Sequence, residues 1–184
     1  MAILKIARMG HPVLKCKADA VKDPTAPEIQ HLINDMRETM ADAGGVGLAA
    51  PQVHVPLRLV IFEIPETRLG EDHETTEELV SQVLINPIVK PRSEELTSGW
   101  EGCLSVPELR GAVPRHTNIH YQGVDEKGTL IDREAHGFHA RVVQHECDHL
   151  DGVLYPMRMT NLTSLHYISE MRFNSGDLPP IGTS

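Results

Sequence analysis

The chain has 184 residues, of which 40% are hydrophobic and 23% are charged, and this is the size and composition of one globular domain with a substantial core. Its 17 basic and 26 acidic residues give a formal net charge of −9, which argues against a general DNA or RNA binder because phosphate contacts need clustered lysine and arginine. No apolar run approaches the roughly 18 residues that a membrane span requires. From the charge we expect no DNA as a partner, and from the apolar runs we expect no membrane.

The three cysteines, Cys16, Cys103 and Cys147, are odd in number and far apart. In a secreted chain they would form one disulfide and leave one thiol, whereas in a cytosolic chain they would be free thiols or metal ligands. Because the start of the sequence has no signal-peptide pattern, we favour the second interpretation and a cytoplasmic location.

The first clear element in chain order is an amphipathic helix. Its apolar residues recur at helical spacing, and they are Ile29, Leu32, Ile33, Met36 and Met40. Thr25 and Glu28 have the spacing of a capping box, and Pro27 suits the first turn. Gly44 and Gly45 are expected to end the helix.

Two apolar runs predict strands. Residues 57–64 form the first run, and residues 83–89 form the second, which we expect at a sheet edge because Asn86-Pro87 interrupts its hydrogen bonding. The intervening residues 66–78 are polar and acidic, which is typical of a solvated loop.

The second half of the chain predicts a hairpin followed by a helix. Residues 117–124 and 129–132 flank the turn-forming residues 125–128, which is a hairpin pattern. A helix is predicted from residue 137 to residue 150, with Gly152 placed to cap its C-terminal end.

Residues 162–168 have apolar positions that suggest a last helix. The order of helix, strands, hairpin and helix predicts an α+β fold, in which small mixed or antiparallel sheets pack around the central helix, with further helices near the N-terminus and the C-terminus. We expect one domain, residues 1–173, and a loose Gly/Pro-rich tail, residues 174–184.

The strongest chemical pattern is His145-Glu146-Cys147-Asp148-His149. Residues four apart share a helix face, so both imidazoles can reach one metal ion, while Glu146 lies beside the metal without being a ligand. Cys147 faces away and is expected to pack in the core. Two histidines at this spacing also occur by chance on exposed helices, but the apolar residues before the motif predict a buried helix, in which a metal would satisfy the polar groups.

A catalytic metal site needs a third protein ligand and an open position for water. Cys103 is one candidate because it lies between a glycine and a Leu-Ser pair in a segment without helical periodicity, although a lone cysteine is more often a buried structural thiol. Glu170 is the rival, since many metallopeptidases take their third ligand from a later glutamate. The residues alone leave both alternatives open.

Three segments together resemble the signature boxes of the peptide deformylase family: GVGLAAPQ at residues 45–52, EGCLS at 101–105 and QHECDHLDG at 144–152. Many metalloproteases share the last box, whereas the first two are far more specific. The resemblance extends from Ile3 to about Phe173. It implies a catalytic domain that removes the formyl group from the initiator methionine of new proteins, with N-formylmethionyl nascent peptides as substrates.

The resemblance also implies a role for each matched residue. The metal ligands would be Cys103, His145 and His149. Glu146 would be the general acid/base, taking a proton from a water that the metal activates and delivering it to the departing amine. The Gln52 side-chain amide and the Leu104 backbone N–H would bind the formyl oxygen.

Six further residues match family positions that contact the substrate, and they are Val46, Gly47, Gly102, Arg110, Phe138 and Val142. Val46, Phe138 and Val142 would line the methionine pocket, although ordinary core packing would also explain each of them. Gly47 would let the peptide backbone approach closely. Arg110 would orient the peptide, and a surface salt bridge is its alternative role.

The family is thought to use Fe²⁺ in the cell, and a site with two histidines and one thiolate would also accept Zn²⁺, Ni²⁺ or Co²⁺. Many bacterial members end in a longer basic helix associated with ribosome docking. Here Gly176, Pro179 and Pro180 follow Phe173, which argues against docking through the C-terminus and leaves contact with the ribosomal exit region open. The sequence favours a bacterial cytoplasmic enzyme, or an organellar one whose transit peptide was removed.

Two other classes of function remain as alternatives. A metalloendopeptidase would use Glu170 as its third ligand, would cleave internal amide bonds and would need no Cys103. A non-catalytic metal-binding homologue is disfavoured because Glu146 and Gln52 are both intact.

Overall fold

The computed structural model of the chain describes residues 2–64 and 81–173, so the predicted acidic loop at 66–78 and the predicted tail at 174–184 lie outside the described residues. The α-helices are α1, Pro27–Asp42, and α2, Gly137–Leu150. The strands are β1, Gly47–Ala49; β2, Leu59–Glu63; β3, Ser81–Pro91; β4, Leu96–Cys103; β5, Val106–His116; β6, Asn118–Val124; β7, Leu130–His136; and β8, His166–Tyr167. Short 3-10 turns cover Pro12–Lys15, Ala50–Val53, Tyr155–Arg158, Leu162–Ser164 and Ile168–Phe173.

The strands form two antiparallel sheets. The larger sheet has five strands in the order β1-β2-β3-β6-β7, and the smaller sheet has three strands in the order β4-β5-β8. Helix α2 contacts β1 and β2 of the larger sheet and β5 of the smaller one. The predicted α+β fold with a central helix is therefore confirmed, as is the hairpin between β6 and β7.

Strand β2 is buried on both faces, and this places the two helices on opposite sides of the larger sheet. Val60, Phe62 and Ile64 pack in the cluster that contains α2, whereas Leu59 and Ile61 pack in the cluster that contains α1. The alternation follows the two-residue period of a strand. All five side chains are at most 2% exposed, which explains why the sequence shows a continuous apolar run here.

The N-terminal segment runs along the molecule and hydrogen-bonds to residues that are distant in sequence. The backbone N–H of Ala7 donates to the carbonyl of Gln52 at 2.7 Å, and that of Met9 donates to Ser105 at 2.7 Å. Further along, Ala18 N–H donates to the last residue of α2 at 2.8 Å. The segment thus joins the 3-10 turn after β1 and the turn between β4 and β5 to the end of the central helix.

The predicted capping box of α1 is wrong, although the helix itself and its end near Gly44 are confirmed. The N-cap residue is Ala26, and no side chain caps the helix. Thr25 instead donates its backbone N–H and its hydroxyl to the Asp23 carboxylate. Pro27 does occupy the first turn, where its missing N–H has no cost.

The predicted edge position of strand 83–89 is also wrong, because β3 lies in the middle of the larger sheet. A register shift between Ile85 and Ile88 takes Asn86 and Pro87 out of the ladder, and Asn86 has a φ of 53°. Its side chain exchanges two hydrogen bonds with the backbone of Val21. A bulge therefore accommodates a proline inside a central strand.

The last helix predicted over 162–168 is not an α-helix. Leu162, Leu165 and Ile168 are three residues apart, which is the repeat of a 3-10 turn, and this part of the chain forms two such turns around the short strand β8. No helix within the described ranges is long and apolar enough to cross a membrane.

Gly152 gives a test of how α2 ends. It has a φ of 73°, and an added Cβ would lie 2.7 Å from the backbone carbon of Lys15. Gly152→Ala should therefore lower the free energy of unfolding by roughly 2 to 5 kcal/mol, because left-handed strain and a backbone clash add together. The measurement is the denaturant midpoint of both proteins at equal metal loading.

Gly128→Ala is the matched control. Gly128 has a φ of 79°, but its added Cβ would meet nothing within 4 Å. Gly128→Ala should therefore lower the free energy of unfolding only by the backbone strain, about 1 to 2 kcal/mol. Equal losses for the two variants would contradict the proposed clash at Lys15.

Candidate metal centre and cleft

Three side chains that can bind a metal converge where β4 meets α2. Cys103 is the last residue of β4, and His145 and His149 lie about one turn apart on α2. The sulfur and one ring nitrogen of each histidine all lie within 4.8 Å of one another. Glu170 is outside this group: it is exposed in the last 3-10 turn and accepts a hydrogen bond from Ser169. The structure therefore places Cys103, and not Glu170, with the two histidines.

The three donors have the orientation that a divalent metal requires. The Nδ1–H of His145 donates to Glu101 Oε2 at 2.8 Å, which leaves the Nε2 lone pair for a metal. His149 Nε2 lies 3.4 Å from Cys103 Sγ, and burial lowers the pKa of His149 well below its ordinary value, so its ring is neutral. One cysteine sulfur and two imidazole nitrogens beside an open cleft fit a divalent metal site with a position left for water or substrate.

A buried ion network holds the ligands from behind. Glu101 Oε1 accepts from Arg115 Nε at 2.9 Å and from Arg141 Nη1 at 2.8 Å, while Oε2 accepts from Arg115 Nη2 and from His145. Arg115 also donates to Asp148 Oδ2 at 2.6 Å. Burial alone would raise the pKa of Glu101, but the hydrogen bonds from Arg115 and His145 outweigh it and hold that pKa well below its ordinary value.

This network was not predicted from the sequence. One signal was available, because Glu101 lies two residues before Cys103 and residues i and i+2 of a strand face the same side. Arg115 and Asp148 are 33 residues apart and carry no local pattern that would pair them.

Glu146 lies directly against β1. A Cβ on Gly47 would overlap Glu146 Oε1, so the carboxylate occupies space that only glycine leaves. Glu146 is 4% exposed, and its Oε2 has no hydrogen-bond partner among the residues that the structure describes. Burial raises the pKa of this carboxyl group to about 7. A group with this pKa can both accept and release a proton near neutral pH.

Gln52 directs its amide nitrogen toward the metal ligands. Its Oε1 accepts from the backbone N–H of Ala49 at 2.8 Å, which fixes the orientation of the side chain. Its Nε2 donates to Ser105 Oγ at 3.1 Å and lies 3.5 Å from Cys103 Sγ. Gln52 is thus part of a 3-10 turn and also a fixed donor beside the site.

A cleft of about 780 Å³ opens onto these groups. The predicted site residues that line it are Val46, Gly47, Gln52, Gly102, Cys103, Leu104, Arg110, Phe138, Val142, His145 and Glu146. His149 lies beneath the wall and is 1% exposed. Trp100 and Ile168 also line the cleft and were not predicted. Val142 belongs to the cleft and to the core, so both explanations of it hold.

Comparison with known proteins gives one consistent family. Residues 3–164 match the family model described as polypeptide deformylase. Peptide deformylase 1 of Nitrosomonas europaea is 48% identical over 165 residues, which cover 90% of this chain and 92% of that protein. Peptide deformylase 1 of Bordetella pertussis is 52% identical over 162 residues, which cover 88% of this chain and 90% of that protein.

Solved structures agree with these sequence relatives. A class I type b peptide deformylase from Acinetobacter baumannii bound to Met-Ala-Ser is similar with a TM-score of 0.76 and 35% identity, over 85% of this chain and 98% of that one. A peptide deformylase from Ehrlichia chaffeensis is similar with a TM-score of 0.77 and 32% identity, over 88% of this chain and 90% of that one.

The geometry predicts which substitution removes the metal. Loss of a hydrogen-bond partner of a metal ligand usually weakens metal binding by about 10- to 100-fold. Cys103→Ser should weaken Zn²⁺ binding by more than this, because it removes a ligand itself. Glu170→Ala should retain wild-type metal content, because Glu170 is exposed and lies outside the group formed by Cys103, His145 and His149. Metal content after dialysis and the Zn²⁺ Kd from chelator competition measure both effects. A metal-free Glu170→Ala protein beside a fully loaded Cys103→Ser protein would reverse the assignment.

Proposed function

The chain belongs to the peptide deformylase family and is therefore a hydrolase that removes the N-formyl group from the N-terminal methionine of new proteins; from this premise we propose how the residues of the cleft perform the reaction. The observation that carries the proposal is the buried carboxylate of Glu146 beside the triangle of Cys103, His145 and His149.

Glu146 moves the proton in this proposal. A divalent ion bound by the three ligands would polarise the formyl carbonyl and lower the pKa of a water molecule from about 15.7 toward 7. Glu146 accepts a proton from the attacking water at Oε2, the oxygen that no described residue hydrogen-bonds, and then donates it to the amine that leaves. Its raised pKa supports both steps, because neither protonation state is strongly favoured at neutral pH.

Gln52 and Leu104 bind the formyl oxygen. The fixed orientation of the Gln52 amide supports this role, since Nε2 faces the ligand Cys103. Leu104 lines the cleft directly after Cys103, where its backbone N–H can act as a second donor. One such donor is typically worth about 3 to 4 kcal/mol of transition-state stabilisation, because it is already oriented before charge develops on the oxygen.

The remaining residues of the cleft hold the peptide. Val46, Phe138 and Val142 form the pocket for the methionine side chain, which is supported by their place in the lining of the cleft. Gly47 and Gly102 allow the peptide backbone to approach, and Arg110, which lies opposite Gly102 across the β4–β5 ladder, orients it.

For the metal we propose Fe²⁺, with Zn²⁺, Ni²⁺ or Co²⁺ able to replace it. One thiolate and two imidazoles suit all four ions, so the donor set supports a divalent transition metal, and the choice of iron rests on the family resemblance.

The wider biological setting is a further part of the proposal. We place the enzyme in the bacterial cytoplasm, with residues 1–173 as its catalytic domain and N-formylmethionyl nascent peptides as its partners. The family match over residues 3–164 supports the extent of the domain. Contact with the ribosomal exit region is a separate hypothesis, and the C-terminal residues on which it turns lie outside the described part of the chain.

A direct assay tests this function. Protein purified without oxygen should release formate from formyl-Met-Ala-Ser. Glu146→Gln should lower kcat by about 10²- to 10⁴-fold, the usual contribution of proton transfer, and should keep its metal because Glu146 is not a ligand. Formate release and metal content are measured on the same samples. A fully loaded Glu146→Gln enzyme with near-normal turnover would remove Glu146 from the mechanism.

The methionine pocket predicts a graded substrate preference. One methylene in an apolar pocket is worth about 1 to 3 kcal/mol, so a formyl-norleucine peptide should be close to formyl-methionine, while a formyl-glycine peptide should lose well over 100-fold in kcat/KM. The three peptides should otherwise be identical, with Ala-Ser following the first residue. Equal kcat/KM for the methionine and glycine peptides would contradict the pocket.

A further inference from the structure

Helix α2 is attached to strand β4 at two points on one carboxylate. Arg141 and His145 are four residues apart on α2 and share a face, and each donates to a different oxygen of Glu101, at 2.8 Å in both cases. On β4, Glu101 and Cys103 are two residues apart and also share a side. This double contact fixes the rotation and the height of the helix relative to the strand that carries the thiol.

Arg141 makes further contacts that extend this attachment to both strands. Its Nη2 donates to the carbonyl of Thr97 at 2.6 Å, and its Nη1 donates to Val113 on β5 at 2.8 Å and to Gly99 at 3.4 Å. The side chain is 12% exposed. One guanidinium group therefore joins the metal-binding helix to two neighbouring strands of the smaller sheet.

Gly99 makes room for this guanidinium group. A Cβ on Gly99 would lie 2.9 Å from Arg141 Cζ and 2.9 Å from Nη2, which is closer than real Cβ atoms approach other atoms. Gly99 has no left-handed φ, so backbone conformation does not explain why a glycine stands at this position. The space that the missing side chain leaves for the guanidinium group explains it.

Neutralising Glu101 is not a sufficient reason for Arg141, because Arg115 already donates to both Glu101 oxygens. Burying a second cation has a desolvation cost, which its hydrogen bonds must offset. Three of the four acceptors of Arg141 are backbone carbonyls, so its contacts specify a position in space more than a charge balance.

We propose that Arg141, in the space left by Gly99, is a positioning residue that sets the separation between the Cys103 thiolate and His145, and thereby the affinity and geometry of the metal site. This proposal rests on the metal centre described above and does not depend on the identity of the substrate.

Metal binding tests the proposal without reference to catalysis. Arg141→Met should raise the Kd for Zn²⁺ by about 10-fold, the lower end of the usual effect of losing a direct partner of a metal ligand, because Arg141 acts on His145 through Glu101. It should also change the visible absorption spectrum of the Co²⁺-loaded protein. Gly99→Ala should shift both measurements in the same direction although it removes no charge, because the added methyl group displaces the guanidinium group. Arg141→Lys should be intermediate, since an ammonium group cannot reach Glu101 and all three carbonyls.

Arg92→Met is the matched control. Arg92 forms an exposed ion pair with Glu134, so its loss should leave the Zn²⁺ Kd and the Co²⁺ spectrum unchanged. For Gly99→Ala, kcat for formyl-Met-Ala-Ser should fall while KM changes little, because the ligands move and every residue that lines the cleft is retained.

Two results would overturn the proposal. If Arg141→Met lowers the stability of the metal-free protein but keeps the wild-type Zn²⁺ Kd and Co²⁺ spectrum, the role of Arg141 is structural only. If Arg141→Met does not fold, wild-type metal binding by both Gly99→Ala and Arg141→Lys would equally show that Arg141 has only a structural role. A wild-type protein that binds metal but releases no formate would instead refute the proposed function and leave this inference standing.

Discussion

The buried carboxylate of Glu101 is the group on which the metal centre depends. Removing a carboxylate from water costs several kcal/mol unless its lone pairs are satisfied. Here Arg115, Arg141 and His145 together donate four hydrogen bonds to its two oxygens. Because one of these donors is a metal ligand and another lies on the same helix, the satisfaction of one buried charge also determines where His145 lies.

The ion-pair network behind the metal ligands carries a net positive charge. Glu101 and Asp148 face the guanidinium groups of Arg115, Arg141 and Arg158, which leaves one positive charge in excess. The network supports the metal site by fixing the direction of the His145 ring through Glu101.

How much of this arrangement could be predicted depended on the range of the interaction. Helix α2 and its two histidines follow from local spacing, and so does the hairpin after β6. The choice between Cys103 and Glu170 could not be made from the residues, because it requires knowing that the end of β4 meets the C-terminal half of a helix that carries His149, 46 positions later. The resemblance to a known family made that choice, and the geometry agrees with it.

The predictions that were wrong or missing also concern contacts between residues far apart in the sequence. Asn86-Pro87 excludes a central strand only if the ladder is regular, and a bulge that depends on the distant residue Val21 removes that condition. Gly47 and Gly99 carry no local sign of their roles, since each is small because a side chain from α2, Glu146 or Arg141, occupies the space beside it. Local patterns define elements, whereas the contacts between elements define the site.

The path of the N-terminal segment has a consequence for the order in which the molecule can fold. Ala7 and Met9 donate to carbonyls at Gln52 and Ser105, and Ala18 donates to the end of α2, so residues made first are held by residues made much later. Such contacts close long loops, and the entropy of closure must be offset before they stabilise anything. During synthesis, the contact of Ala18 must therefore wait until α2 has emerged, and the cleft is completed late because the same helix carries His145, Glu146 and His149.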